Sequence, residues 1–190
     1  MKASKRDIFW FAALAALMLA TRGNLLGAIV PVQLHDASWA AFLLAGAVLR
    51  KPVYLALLAT LALGLDYAAL CAGSLDLAGC LKPSYLTLLG AWAMLWVAGR
   101  MIRTGSWDLA TAGRNVLLVL AAITTAYVLT SGGFYLWSGH YEAWSISQFW
   151  NMSAPFFLVA LGSTVGYTAL GLLAQQVTTS SPRGREPLVG

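Results

Sequence analysis

Six runs of apolar residues, at 8–20, 37–49, 53–71, 85–102, 115–130 and 155–174, occupy most of this 190-residue chain. A helix that crosses a bilayer needs about 20 mainly apolar residues, within a range of roughly 17–25. Four of the runs reach that length or come close. The first two are shorter, and each needs part of 21–33, or 35–36, to complete a crossing. Backbone groups in hydrocarbon must bond within their own segment, so open runs of this kind can only be helices. The expected fold is therefore an all-α membrane protein: a bundle of six transmembrane helices forming one domain over 1–177. The Ser-, Pro- and Arg-rich stretch 178–190 reads as a disordered tail. Composition agrees, with 59% hydrophobic and 10% charged residues and a mean hydropathy of +0.73. Soluble domains carry about a quarter charged residues.

The cations set the orientation. Lys2, Lys5 and Arg6 precede the first run, and Arg50 and Lys51 follow the second. Arg100, Arg103 and Arg114 lie at or between the fourth and fifth runs, and Arg183 and Arg185 follow the sixth. The positive-inside rule puts these ten, and both termini, in the cytoplasm. Only Arg22 and Lys82 fall on the outer side. The net charge of +5 is thus a topology signal, and no nucleic-acid partner is expected. Lys5 and Arg6 ahead of an apolar run raise the question of a signal peptide, but Leu19-Ala20-Thr21-Arg22 is a poor cleavage site. A retained first helix is expected.

The outer segments hold the candidate chemistry. Cys80 lies between the third and fourth runs in Cys71-Ala-Gly-Ser-Leu-Asp-Leu-Ala-Gly-Cys80. Three readings of it stand side by side. It can pair with Cys71, since the outer face is oxidising. It can be a small buried hydrophobe. It can be a thiolate ligand for a soft or borderline metal, with Lys82 nearby lowering its pKa. A structural zinc site asks for four Cys or His ligands; the chain has two of each, spread over three segments. One axial thiolate on a metal already caged by an organic macrocycle asks for less. Asp66, inside the third run near its outer end, is either an interfacial carboxylate or one that accepts amide hydrogen bonds from a ligand. Tyr85 opens the fourth run, across the third outer loop from it. The segment 131–154 reads as a long outer loop dense in aromatics, and Tyr135, Trp137, Tyr141 and Trp144 are candidate walls for a large flat ligand. Asp36, Asp76 and Glu142 read as solvated loop charges. No hydrolase, zincin or nucleotide-binding motif occurs.

Six spans in under two hundred residues, cytoplasmic termini and the small-residue face Ala12/Ala16 on the first helix resemble the S-components of energy-coupling-factor (ECF) vitamin transporters. Within that group, Asp66, Cys80 and Tyr85 resemble the pattern of the proteobacterial cobalamin transporter family BtuM. The resemblance implies a multi-pass protein of the bacterial inner membrane that binds cobalamin at the periplasmic face under outer loops one, three and five. It implies Cys80 as axial ligand to the cobalt of the corrinoid, with removal of cyanide from cyanocobalamin. Cobalamin is then cargo, with no intrinsic cofactor. An ECF energising module is an optional partner through Ala12 and Ala16, and membrane lipid is the constant one. The competing readings are an S-component for another vitamin and a membrane thiol–disulfide oxidoreductase using Cys71 and Cys80.

Overall fold

The structure, a computed structural model, describes residues 4–22, 35–72, 83–103, 108–137 and 145–180, with the backbone alone for 69–72 and 179–180. The described residues contain six helices and no strand: α1 (Lys5–Arg22), α2 (Ser38–Val48), α3 (Pro52–Ala72), α4 (Ser84–Met101), α5 (Leu109–Trp137) and α6 (Ile146–Ser180). Each expected run lies within, or within about two residues of, one helix. Two of the helices, over Leu109–Trp137 and Ile146–Thr178, are long and apolar enough to cross a membrane.

Local chemistry fixes the helix ends. Asp108 Oδ1 accepts the Thr111 N–H at 2.8 Å and caps α5. Pro52 opens α3, where its missing N–H costs nothing. The turn between α2 and α3 is tight because Arg50 takes a left-handed backbone, φ 56°, that lets its N–H return to Ala45 O at 3.1 Å. At that end, Lys51 Nζ donates to Asp7 Oδ2 at 2.6 Å. This hydrogen bond holds the Lys51 ammonium above the usual lysine range.

The shortest helix is the centre of the bundle. With 11 residues α2 is about 16 Å long, roughly half the hydrocarbon thickness. All of its residues from Ser38 to Ala47 are buried except Trp39, which is partly buried. It packs against α4 with backbones nearly touching. A Cβ at Gly46 would overlap the carbonyl of Trp96, and one at Gly99 would overlap the carbonyl of Leu43. Two facing glycines allow this approach, as small residues do wherever helices associate by packing alone. Phe42 stacks on Trp92 one turn further along, with ring centroids 4.8 Å apart and planes inclined by 15°. The residues 23–34 on which the second run was expected to draw lie outside the described residues.

The segment 131–154, expected as a loop, is mostly helix. Residues 131–137 finish α5, and 146–154 begin α6. Ser, Gly and aromatic residues in Ser-Gly-Gly-Phe-Tyr-Leu-Trp look like a loop in sequence, yet Gly133 is where α5 packs against the Thr87 side chain of α4. Likewise α6 runs to Ser180, past the expected tail boundary at 178.

On α6 the usual arrangement of a water-soluble helix is reversed. Its buried positions include Ser153, Thr164 and Thr168, while Phe156, Leu158, Leu170 and Val177 are each about two-thirds exposed or more. The same helix carries Pro155, which frees the Asn151 carbonyl. Two residues before the proline, Ser153 Oγ donates to Phe149 O at 2.8 Å, and Tyr127 Oη donates to the Ser153 carbonyl.

Candidate functional site

Helices that alternate in direction bring the C-terminal ends of α1, α3 and α5 together with the N-terminal ends of α2, α4 and α6. A polar cluster has formed at that end, and Arg22 is its centre. Arg22 Nε donates to Asp66 Oδ1 at 2.8 Å, and Nη2 donates to Oδ2 at 2.7 Å. Its Nη1 donates to Asp36 Oδ2 and to Ser38 Oγ, both at 3.0 Å. Four hydrogen bonds thus leave one guanidinium, whose planar fork matches a carboxylate. The Cζ atom lies 5.6 Å from the ring centroid of Trp92, a cation–π distance. The pair is mostly shielded, with side-chain exposures of 16% for Arg22 and 23% for Asp66. That shielding is why the pair counts for more than an exposed surface bridge.

Neighbouring residues prepare this geometry. Asp36 Oδ1 accepts the Ser38 N–H at 2.9 Å and the Ser38 hydroxyl at 2.6 Å, so a carboxylate satisfies an orphan donor at the N-terminus of α2. Thr21 Oγ1 donates to Leu17 O at 2.9 Å and accepts the Ala37 N–H at 3.1 Å. The last turn of α1 therefore aligns the first turn of α2, and both present their charges to the same point. Asp36, expected to be a solvated loop charge, is exposed and outside the helices, and it is also part of the cluster.

One arginine against two carboxylates leaves the cluster with one net negative charge. Each Asp66 oxygen receives one N–H from Arg22 and retains further acceptor capacity. The arrangement can accept N–H donors from a ligand on carboxylates held in fixed positions. Tyr85, the second residue of α4 and partly buried, is within electrostatic range of Arg22. Asp66 and Tyr85, named from sequence, are thus at the same end of the bundle, Asp66 bonded to Arg22 and Tyr85 near enough to act on its charge.

The aromatic candidates divide. The Tyr135 ring is buried and its hydroxyl is engaged: it donates to Gln148 Oε1 at 3.0 Å and accepts the Ser145 N–H at 3.2 Å. The ring also meets Phe149 edge-on at 5.8 Å. Tyr135 joins α5 to α6. Trp137, the last residue of α5, is 46% exposed. Cys80, Tyr141 and Trp144 lie outside the described residues, as does the side chain of Cys71. Cys80 belongs to the segment 73–82, whose two ends are anchored by α3 and α4 at the Arg22 end of the bundle. Among the described residues, no group of three or more His, Cys, Asp or Glu is placed to hold a metal.

Sequence reasoning missed Arg22, Thr21, Ser38 and Trp92. A signal for Arg22 was present: an isolated cation on the cation-poor side, in a chain with one carboxylate inside a span, is a partner for that carboxylate.

No protein-family profile matches the chain, and no curated protein matches it in sequence.

Proposed function

We propose that this chain is a six-span protein of the bacterial inner membrane that takes up cobalamin, with both termini cytoplasmic. The observation that carries the reading is the cluster of Arg22, Asp36 and Asp66 beside Tyr85, at the end of the bundle from which the Cys80 segment departs. A corrinoid offers a ring of amide N–H donors, a broad apolar face and a metal that needs one axial ligand. Fixed carboxylates suit the amides, and a lone outer thiolate suits the cobalt. The reversed polarity of α6, with hydroxyls inward and large apolar side chains outward, supports a lipid surrounding.

In this reading Cys80 acts as a ligand to its cargo. The thiolate donates an electron pair to cobalt, and cyanide departs as the anion with the pair that bound it. This is ligand exchange, with no change in oxidation state. Asp66 accepts amide hydrogen bonds while Arg22 holds its carboxylate in a fixed orientation. Tyr85 closes the pocket beside them, and Trp137, Tyr141 and Trp144 supply apolar wall from the α5–α6 end. Ala12 and Ala16 on α1 remain the surface for an optional ECF module.

The test is growth of a cobalamin-dependent strain that lacks its own importer and expresses this chain. Growth on limiting cobalamin is expected from the wild type and is expected to fail for Asp66→Leu. No growth from the wild-type protein, when it is present in the membrane, would reject cobalamin as cargo and leave another vitamin as the candidate.

A further inference from the structure

A groove of about 280 Å³ runs between α5 and α6 at their cytoplasmic halves, away from the Arg22 cluster. Ala112, Asn115 and Val119 line it from α5, and Val165, Thr168 and Leu172 from α6. Its lips, Val116 and Leu173, are 57% and 52% exposed, so it opens on the apolar outside of the bundle. Its polar edge is already committed. The Asn115 side chain accepts the Arg103 N–H at 3.2 Å and donates to the Arg103 carbonyl at 2.8 Å. That pair of bonds holds the Arg103 backbone at the Asn115 edge of the groove, and Arg114 is the residue next to Asn115 on α5. Both arginines are exposed, and neither enters an ion pair among the described residues. Arg114 donates only to the Met101 carbonyl, at 3.2 Å. Asp108, on the same side, already accepts the Thr111 N–H.

We infer that this groove binds one anionic phospholipid of the cytoplasmic leaflet, an acyl chain lying between α5 and α6 and the phosphate meeting Arg103 and Arg114. The lining is apolar apart from Asn115 and Thr168, which suits an acyl chain. Charge favours an anionic headgroup. Two arginines beside an apolar slot reproduce the layout of a phospholipid at the membrane boundary, where guanidinium binds phosphate through paired donors. The inference rests on the membrane placement proposed above and is independent of the cargo.

The test uses the purified full chain exchanged into mixed micelles holding equal phosphatidylglycerol and phosphatidylcholine, then read by native mass spectrometry. One retained phosphatidylglycerol is expected, preferred over phosphatidylcholine by about tenfold or more from two near-surface arginines. Arg103→Gln with Arg114→Gln is expected to abolish the preference while leaving some lipid retained. Ala169→Trp, which fills the slot, is expected to remove retained lipid of both kinds. Should that variant misfold, the arginine pair still decides, because both side chains are exposed and the double change removes only the exposed Arg114–Met101 hydrogen bond. Unchanged preference in the arginine variant would overturn the proposal. So would a wild-type dimer lost in Ala169→Trp, which would assign the groove to a second copy. Recovery of the wild type in the aqueous phase would instead reject the membrane placement itself.

Discussion

Two parallel hydrogen bonds, 2.8 Å from Arg22 Nε to Asp66 Oδ1 and 2.7 Å from Nη2 to Oδ2, tie the end of α1 to α3. A third donor on the same guanidinium reaches Asp36 at the start of α2. Three helix ends therefore depend on one side chain.

This asymmetry orders the effects of substitution. Arg22→Met leaves two carboxylates facing each other without a cation. Asp66→Asn keeps an acceptor for Arg22, which still has Asp36. Arg22→Met is expected to lose on the order of 2–3 kcal/mol of stability, as hydrogen bonds to charged partners do. Asp66→Asn is expected to lose clearly less. Thermal unfolding of the two variants in the same detergent checks the order, and equal losses would mean that Asp36 contributes nothing to the network.

The approach of α2 to α4 makes a sharper claim. A methyl group at Gly46 or Gly99 meets backbone carbonyls that cannot turn aside. Gly46→Ala and Gly99→Ala are each expected to cost more than about 2 kcal/mol, above most overpacking changes because no flexible side chain can yield. Gly64→Ala in α3, with nothing within 4 Å, is the control. It is expected to be neutral or to stabilise by up to about 1 kcal/mol through helix propensity.

Tyr135 is a hinge pin for the α5–α6 connection. Tyr135→Phe keeps the ring against Phe149 and removes the hydroxyl that serves Ser145 and Gln148. A loss of about 1 kcal/mol is expected. Hydrogen exchange should quicken at the Ser145 amide while α2 stays protected. Uniform loss of protection would show that the connection is not a separate opening unit.

The helices were legible in the sequence because long apolar runs free of internal proline favour a single helical backbone. Their ends were less so. The last turns of α5 and the first of α6 carry Ser, Gly and aromatic residues whose helical state is decided by packing, as at Gly133 against Thr87. Asp66 and Tyr85 could be named because a carboxylate in an apolar run and a tyrosine at its edge are unusual on their own. Arg22 was visible only as an exception to the charge rule. Its partner 44 residues away, and the alignment by Thr21 and Asp36, are properties of three helix ends meeting in space. That α2 would be the buried centre was hidden as well, since a short apolar run reads the same whether protein or lipid surrounds it.

Cys71 separates ligand chemistry from a redox pair. If Cys80 acts on cobalt, Cys71→Ser is expected to keep full cobalamin binding and cyanide release. A thiol–disulfide cycle would lose activity with either cysteine.

The central claim is the sulfur–cobalt bond, and visible absorption of the purified protein mixed with cobalamin reads it directly. The wild type is expected to shift the corrin bands as cyanide is replaced by the Cys80 thiolate, and Cys80→Ala is expected to leave the free-corrinoid spectrum unchanged. A Cys80→Ala protein that shifts the bands as the wild type does would contradict the account.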